Sequence, residues 1–306
     1  MKTCFLFPGQ GAQYPGMGRD FYETSSAVRE LFELASDATK LDLKRLLFEG
    51  SEEELKQTQN TQVAVALVGA AAACNAREHG IRPDGAAGFS VGEWPALLEA
   101  GIVTPEDMFR LVGERGRLMD EAGRRSGGST MSAVLFLSPE AIEAAIKSAG
   151  LKQVWVANYN SPTQSVISGT EADVARAEEA IKAAGAKRVV RLKVSGAFHS
   201  PIMAYARDGF AERVQDVTFH DPKIAFFSNV TGKRLESGAE AKRYAVEQIV
   251  SPVRWIEEEA TIKAEGFDHI LETGPGTVLA GLWKSVEGAA PCLAAGTLDQ
   301  IAAISL

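Results

Sequence analysis

The chain is short of the residues that mark several classes of protein. It has three cysteines in 306 residues, Cys4, Cys74 and Cys292. They form no CxxC pair and no disulfide framework, a usage that fits a reducing compartment and predicts a cytoplasmic protein. It has four histidines, and no H-E-x-x-H or related spacing suggests a metal site. No charge-free apolar run reaches the length of a membrane span. Residues 63–74 come nearest and stop at Asn75-Ala76-Arg77-Glu78. Positive charge is in deficit: the net charge is −8, which argues against bulk nucleic-acid binding. Met1-Lys2 leads straight into an apolar run, the pattern expected without a signal peptide. The expectation is a monomer with no nucleic-acid or membrane partner and no metal.

What remains is ordinary globular composition, 45% hydrophobic and 24% charged, enough for one large domain or a large one with a small one. The chain is organised around Ala86-Ala87-Gly88-Phe89-Ser90-Val91-Gly92-Glu93-Trp94. It reads as the end of a buried strand, a sharp turn and a helix start. Gly88-x-Ser90-x-Gly92 has the spacing of a nucleophile elbow, in which the turn lifts a serine hydroxyl clear of the sheet. The helix start offers free N–H groups to an oxyanion. The spacing also arises in Gly-rich turns with no catalytic role.

A serine nucleophile needs a base. His79 sits at a helix end, His220 in a polar connection and His269 inside a strand. His199 follows a strand and lies between Gly196-Ala197-Phe198 and Ser200-Pro201, so it is the candidate. A loop histidine capping a helix is the alternative.

The apolar run Thr3-Phe7 reads as a buried parallel strand. The Gly-rich stretch Pro8-Gly9-Gln10-Gly11 after it fits no phosphate fingerprint. Tyr14 stands where G-x-G-x-x-G needs its third glycine, and no Gly-Lys-Ser/Thr follows. Residues 60–79 form a long small-residue helix. Thr104-Pro105 opens another that runs to about Ala122, with a linker from Gly123 to Gly128.

Residues 130–194 read βαββαβ, the ferredoxin-like unit, with Asn160-Ser161-Pro162 joining its middle strands. Strands at 223–228 and 268–272 then resume the first rhythm. The fold class is therefore α/β, a parallel sheet covered on both faces with a small inserted subdomain. The predicted boundaries are 1–126 with 195–306 for the core and 127–194 for the insertion. Gln10, Ser90, His199 and Gly274 all fall just past predicted strands, where such sheets carry their sites.

These residues carry a resemblance. Phe7-Pro8-Gly9-Gln10-Gly11, Gly88 to Glu93, Glu114-Arg115-Gly116, Asn158 to Pro162, Gly196 to Ser200, Gln248 to Trp255 and Glu272 to Gly276 occur in this order. Together they make the chain similar, over nearly its whole length, to the malonyl-CoA:acyl carrier protein transacylase family of acyltransferases. The resemblance implies an α/β-hydrolase-like core with a ferredoxin-like insertion. It implies transfer of malonyl from malonyl-CoA to the phosphopantetheine thiol of holo acyl carrier protein, for fatty-acid synthesis. CoA thioester and phosphopantetheine are then substrates, and no cofactor is needed.

By the same resemblance, Ser90 is the nucleophile and His199 its base and acid. Arg115 pairs with the malonyl carboxylate. The N–H groups of Gln10 and Val91 form the oxyanion hole, and the carbonyl of Gln248 orients His199. Phe89 stands where bacterial members of the family often have histidine before the nucleophile, although some members also carry Phe there. Gly196-Ala197-Phe198-His199 is the form associated with malonyl rather than methylmalonyl.

Arg110 and Arg117 share a helix with Arg115 but point about 140° and 200° away at ~3.6 residues per turn, so they are expected in solvent. Alternation in the strand 187–193 puts Lys187, Arg191 and Lys193 on one face, a basic patch for an acidic carrier protein. Two rival classes remain. One is a serine hydrolase on the same fold, although the insertion occupies much of the interval where an α/β-hydrolase carries its acid. The other is a non-catalytic docking module.

Overall fold

A computed structural model describes residues 1–305, which contain two sheets. Ten strands are described: β1 (Thr3–Phe7), β2 (Gly85–Gly88), β3 (Ser129–Leu135), β4 (Val154–Ser161), β5 (Gln164–Thr170), β6 (Arg188–Arg191), β7 (Ala225–Ser228), β8 (Lys233–Leu235), β9 (His269–Glu272) and β10 (Cys292–Ala294).

The larger sheet has the order β10-β9-β1-β2-β7-β8. Neighbours are parallel from β10 to β7, and β8 closes the edge antiparallel. β1 lies in the middle and all five of its residues are buried. That explains its unbroken apolar run, since a parallel strand covered on both faces has no wet side. Burying Phe5 and Phe7 contributes roughly 1.5–3 kcal/mol each.

β2 is Gly-Ala-Ala-Gly, and the helix Thr58–Glu78 lies against the end of β1. Residues Val63 to Ala76 of that helix are all buried. At Gly69 an added Cβ would already be 3.2 Å from the Phe7 ring and 3.3 Å from Pro95.

The smaller sheet is antiparallel with the order β4-β5-β3-β6. Helices Pro139–Ser148 and Glu171–Ala183 cover it around Val134, Ile142, Ile167, Val174 and Ile181. This is the βαββαβ pattern read from the sequence, with its strands in ferredoxin-like order.

Two close approaches hold the segments of the larger sheet to those of the smaller one. The helix Pro105–Arg125 ends where the returning chain crosses it. A Cβ on Gly123 would lie 2.1 Å from the Ser195 carbonyl oxygen, so only glycine permits the crossing. At the second place β4 reaches the connection 248–255: Tyr159 N donates to Val253 O at 2.9 Å, and Val253 N to Ala157 O at 2.8 Å.

Three local expectations need correction. The helix carrying Arg115 runs to Arg125, so Gly123 is a packing position and not linker; only Ser126–Gly128 turn. β4 continues through Asn160 and Ser161, because two register shifts against β5 absorb the extra residues. The strand expected over 187–193 is described only from Arg188 to Arg191. β8 and β10 were not foreseen, being three-residue edge strands without alternation.

Candidate active site

Parallel strands put their carboxyl ends along one edge of the sheet, and a ligand crevice forms there. Pro8-Gly9-Gln10 follow β1, Phe89-Ser90 follow β2 and Asn229 follows β7. Ser90 has φ 53°, a conformation that costs a non-glycine residue about 1 kcal/mol or more.

The two flanking glycines are steric necessities. A Cβ on Gly88 would lie 1.9 Å from Gly92 O, and one on Gly92 would lie 2.1 Å from Phe7 O. The turn is wedged against itself and against the end of β1. Ser90 N donates to Asn229 Oδ1 at 2.7 Å, which ties the turn to β7.

His199 arrives from the segment that returns from the smaller sheet, also at positive φ (57°). Its Nε2 lies 2.7 Å from Ser90 Oγ. Its Nδ1 faces two carbonyl oxygens, Gln248 at 2.9 Å and Ser251 at 3.1 Å. Carbonyls only accept, so Nδ1 carries the proton and Nε2 presents its lone pair to the serine. Burial, reinforced by the nearby Arg115 charge, pushes the His199 pKa down to about 4, although the two carbonyls oppose the shift. The imidazole is therefore neutral at pH 7 and ready to accept a proton.

Arg115 is completely buried. Its Nη2 donates to Gln248 Oε1 at 2.9 Å and to Ser90 Oγ at 3.3 Å, and its Nη1 to Gln62 Oε1 at 2.5 Å. Its Nε has no acceptor among the described residues. Burial lowers its pKa to about 10, with the Glu93 charge opposing, so it stays a cation at neutral pH. Arg110 and Arg117 face outward as expected, on Asp107 and on Glu114 and Glu121.

Gln10 and Val91 line the same cavity as Ser90, His199 and Arg115, a space of about 280 Å³. Gly9 brings the Gln10 loop against the elbow: a Cβ there would sit 2.5 Å from Phe89 O. Neither the Gln10 N–H nor the Val91 N–H has a backbone acceptor among the described residues. The rest of the wall is largely apolar, from Met119, Met131, Val194, Phe198 and Leu279. Phe89 packs edge-on against Trp255, with ring centres 5.5 Å apart.

Gln248 does more than the resemblance implied. Besides its carbonyl, its side chain joins the site: Nε2 donates to Glu93 Oε2 at 2.6 Å while Oε1 accepts from Arg115. Glu93 also accepts from Asn229 N at 3.1 Å. Burial raises its pKa to about 7, against those hydrogen bonds and the Arg115 charge. Behind it, Glu258 accepts from Asn229 Nδ2 at 2.8 Å, and its pKa is raised by burial and by Glu93.

Sequence reasoning missed Gln62, Asn229 and Ser251 and gave Glu93 no role. Glu93 and Ser251 lay inside quoted motifs, and Asn229 obeys the strand-end rule. Gln62 left a fainter signal, as a polar residue opening a small apolar stretch.

The alternation behind the expected basic patch holds only in part, although Lys187, Arg191 and Lys193 are all exposed. Arg191 Nε is engaged by Glu178 at 2.8 Å, Lys187 Nζ lies over the Phe136 ring, and neither lysine belongs to β6. Glu178 comes from a helix that packs on the sheet, a neighbour that alternation along one strand does not reveal.

Comparison with known proteins bears on this site. The family described as acyl transferase domain matches residues 4–300. The malonyl CoA-acyl carrier protein transacylase of Bacillus subtilis (strain 168) is 39% identical over 287 residues, covering 93% of this chain and 90% of that protein. An acyl carrier protein S-malonyltransferase from Vibrio cholerae superposes with a TM-score of 0.95 at 34% identity, over 100% of both chains. A malonyl-transacylase solved in complex with a type II PKS acyl-carrier protein superposes with a TM-score of 0.93 at 36% identity, over 99% of this chain and 98% of that one. With the family's match extending across both sheets and every residue of the Ser90 site, the chain belongs to the acyl transferase family.

Proposed function

We propose that this chain is a malonyl-CoA:acyl carrier protein S-malonyltransferase that works through a malonyl ester on Ser90. The observation that carries the reading is a buried guanidinium 3.3 Å from a serine hydroxyl that is itself 2.7 Å from a neutral histidine. A dyad alone suits any acyl group. A dyad beside a buried, permanently charged fork suits an acyl group that ends in a carboxylate, because burying that charge unpaired is costly. The names of the relatives point the same way.

In the proposed sequence His199 Nε2 takes the Ser90 proton as Oγ attacks the thioester carbonyl of malonyl-CoA. The carbonyl oxygen becomes an oxyanion held by the N–H groups of Gln10 and Val91, each worth on the order of 3 kcal/mol in comparable sites. The C–S bond then breaks, and His199 returns the proton to the CoA sulfur. The phosphopantetheine thiol of holo acyl carrier protein gives up its proton to His199 and attacks the ester. Malonyl leaves as the new thioester, and Ser90 recovers its proton. Two half-reactions that share one ester give ping-pong kinetics. Gln248 O and Ser251 O replace the usual triad carboxylate: they orient the ring but add no full charge.

The reading extends to a core of 1–126 and 195–306 with an insertion of 127–194, to a monomer, and to cytoplasmic fatty-acid synthesis. It calls for no metal or resident cofactor. Among the described residues no helix is long and apolar enough to cross a membrane.

Mass spectrometry of the protein with malonyl-CoA, with and without holo carrier protein, tests the proposal. The expected result is a malonyl adduct on Ser90 that is discharged to the carrier. Malonyl-CoA hydrolysis at a rate the carrier does not change would favour the hydrolase instead.

A further inference from the structure

Glu93 is buried at the first position of the helix Glu93–Glu99, a place where a glutamate is usually solvated. Among the described residues no lysine or arginine forms an ion pair with it, although the Arg115 charge acts on it. Its Oε2 accepts from Gln248 Nε2 at 2.6 Å and from Asn229 N at 3.1 Å. A primary amide has a donor end and an acceptor end, and its two orientations have nearly the same shape. Three acceptors remove that ambiguity: Gln248 Nε2 also donates to Ser90 O at 3.2 Å and Asn229 Oδ1 at 3.3 Å, and the nearest of the three is the Glu93 oxygen. It accepts, so it draws the NH2 end of Gln248 and leaves the oxygen end facing Arg115 Nη2, at 2.9 Å. With the amide reversed, NH2 would meet guanidinium and oxygen would meet carboxylate, two repulsions between buried groups.

From this we infer that Glu93 is a positioning residue for acyl selection: it locks the Gln248 amide so that the Arg115 fork stays beside Ser90. The inference rests on the reading of Arg115 as the partner of a carboxylate-bearing acyl group, and it adds the residue that holds that partner in place.

The geometry also separates this role from support of the general chemistry. His199 depends on the main-chain carbonyl of Gln248, not on its amide. That residue's backbone is held independently, with Gln248 N donating to Tyr244 O at 2.8 Å. Asn229, which ties the Ser90 turn, keeps its Nδ2 bonds to Gly88 O at 2.7 Å and Glu258 at 2.8 Å, so loosening the amide should disturb Arg115 more than the Ser90–His199 pair.

The test compares malonyl-CoA and acetyl-CoA turnover to holo carrier protein, with the rate of Ser90 labelling by a fluorophosphonate as a third readout. Glu93→Met keeps the volume and removes the acceptor. Its malonyl-to-acetyl ratio of kcat/KM should fall tenfold or more, mainly through a higher KM for malonyl-CoA, with labelling within threefold of wild type. Glu93→Gln can still offer an oxygen to both N–H groups and should restore the ratio to within threefold.

If Glu93→Met does not fold, Glu93→Asp carries the test. It withdraws the oxygen by one methylene and should lower the ratio at least fivefold. Equal losses in all three readouts, or an unchanged ratio in the folded variant, would overturn the inference. Failure of the underlying reading looks different: the wild-type protein itself would then show no preference for malonyl over acetyl.

Discussion

Arg115→Ala is the most discriminating substitution. Malonyl differs from acetyl by one carboxylate, and the protein keeps one fully buried cation beside the nucleophile. Stranding one member of a buried ion pair costs roughly 3–5 kcal/mol. The lower half of that range applies here. Both Nη groups already have amide-oxygen acceptors, on Gln62 and Gln248, and only Nε is without one. The carboxylate thus competes with existing hydrogen bonds and does not meet a bare charge. At about 1.4 kcal/mol per decade, kcat/KM for malonyl-CoA should fall by about 10²–10³-fold.

Acetyl-CoA brings no charge, so its turnover should hold or rise. The substitution also removes a cation whose burial already drags its pKa to about 10. Two amide oxygens lose a donor in exchange, so the melting temperature should move little. Both substrates are measured on one preparation, as initial rates of carrier acylation over a range of concentrations. A parallel loss for both would refute the reasoning and would make Arg115 a support of the fold or of CoA.

Three other outcomes follow from the same geometry. Ser90→Ala should leave no malonyl adduct by intact-mass measurement and an unchanged circular dichroism spectrum; an adduct elsewhere in the chain would move the nucleophile. His199 must be neutral to act as a base, and its pKa lies near 4, below the ordinary 6.5. Protonation therefore sets in only as pH falls towards 4, so the acid limb of kcat/KM should lie near there, and a limb centred near 6.5 would contradict the buried ring. Gly92→Ala drives a Cβ into Phe7 O and Pro8 O, so it should destabilise the protein by about 3 kcal/mol or more, read as the shift of a urea midpoint, whereas a shift below about 1 kcal/mol would mean that the elbow yields.

Much of this protein was legible in its order of residues. The apolar run Thr3–Phe7 and the alternation of strands with helices carry the parallel sheet, because local pattern and burial there have the same cause. The βαββαβ rhythm carries the insertion. Ser90 and His199 each sit in a stretch whose composition reflects its own backbone, glycines around an elbow and small residues around a strained histidine, whereas Arg115 was marked only by the family resemblance.

Other features came into view only in three dimensions, since they depend on which distant segments touch. Gly123 looks like linker until Ser195 crosses it. Arg191 looks like a docking cation until Glu178 reaches it from a helix packed on the same sheet. Asn229 and Gln62 are unremarkable polar residues until one caps the Ser90 turn and the other takes Arg115. The amide of Gln248 has no orientation in the sequence. It acquires one where Glu93, Arg115 and Asn229, from three separate elements, close around it, and the need to pair every buried donor with an acceptor then leaves a single arrangement.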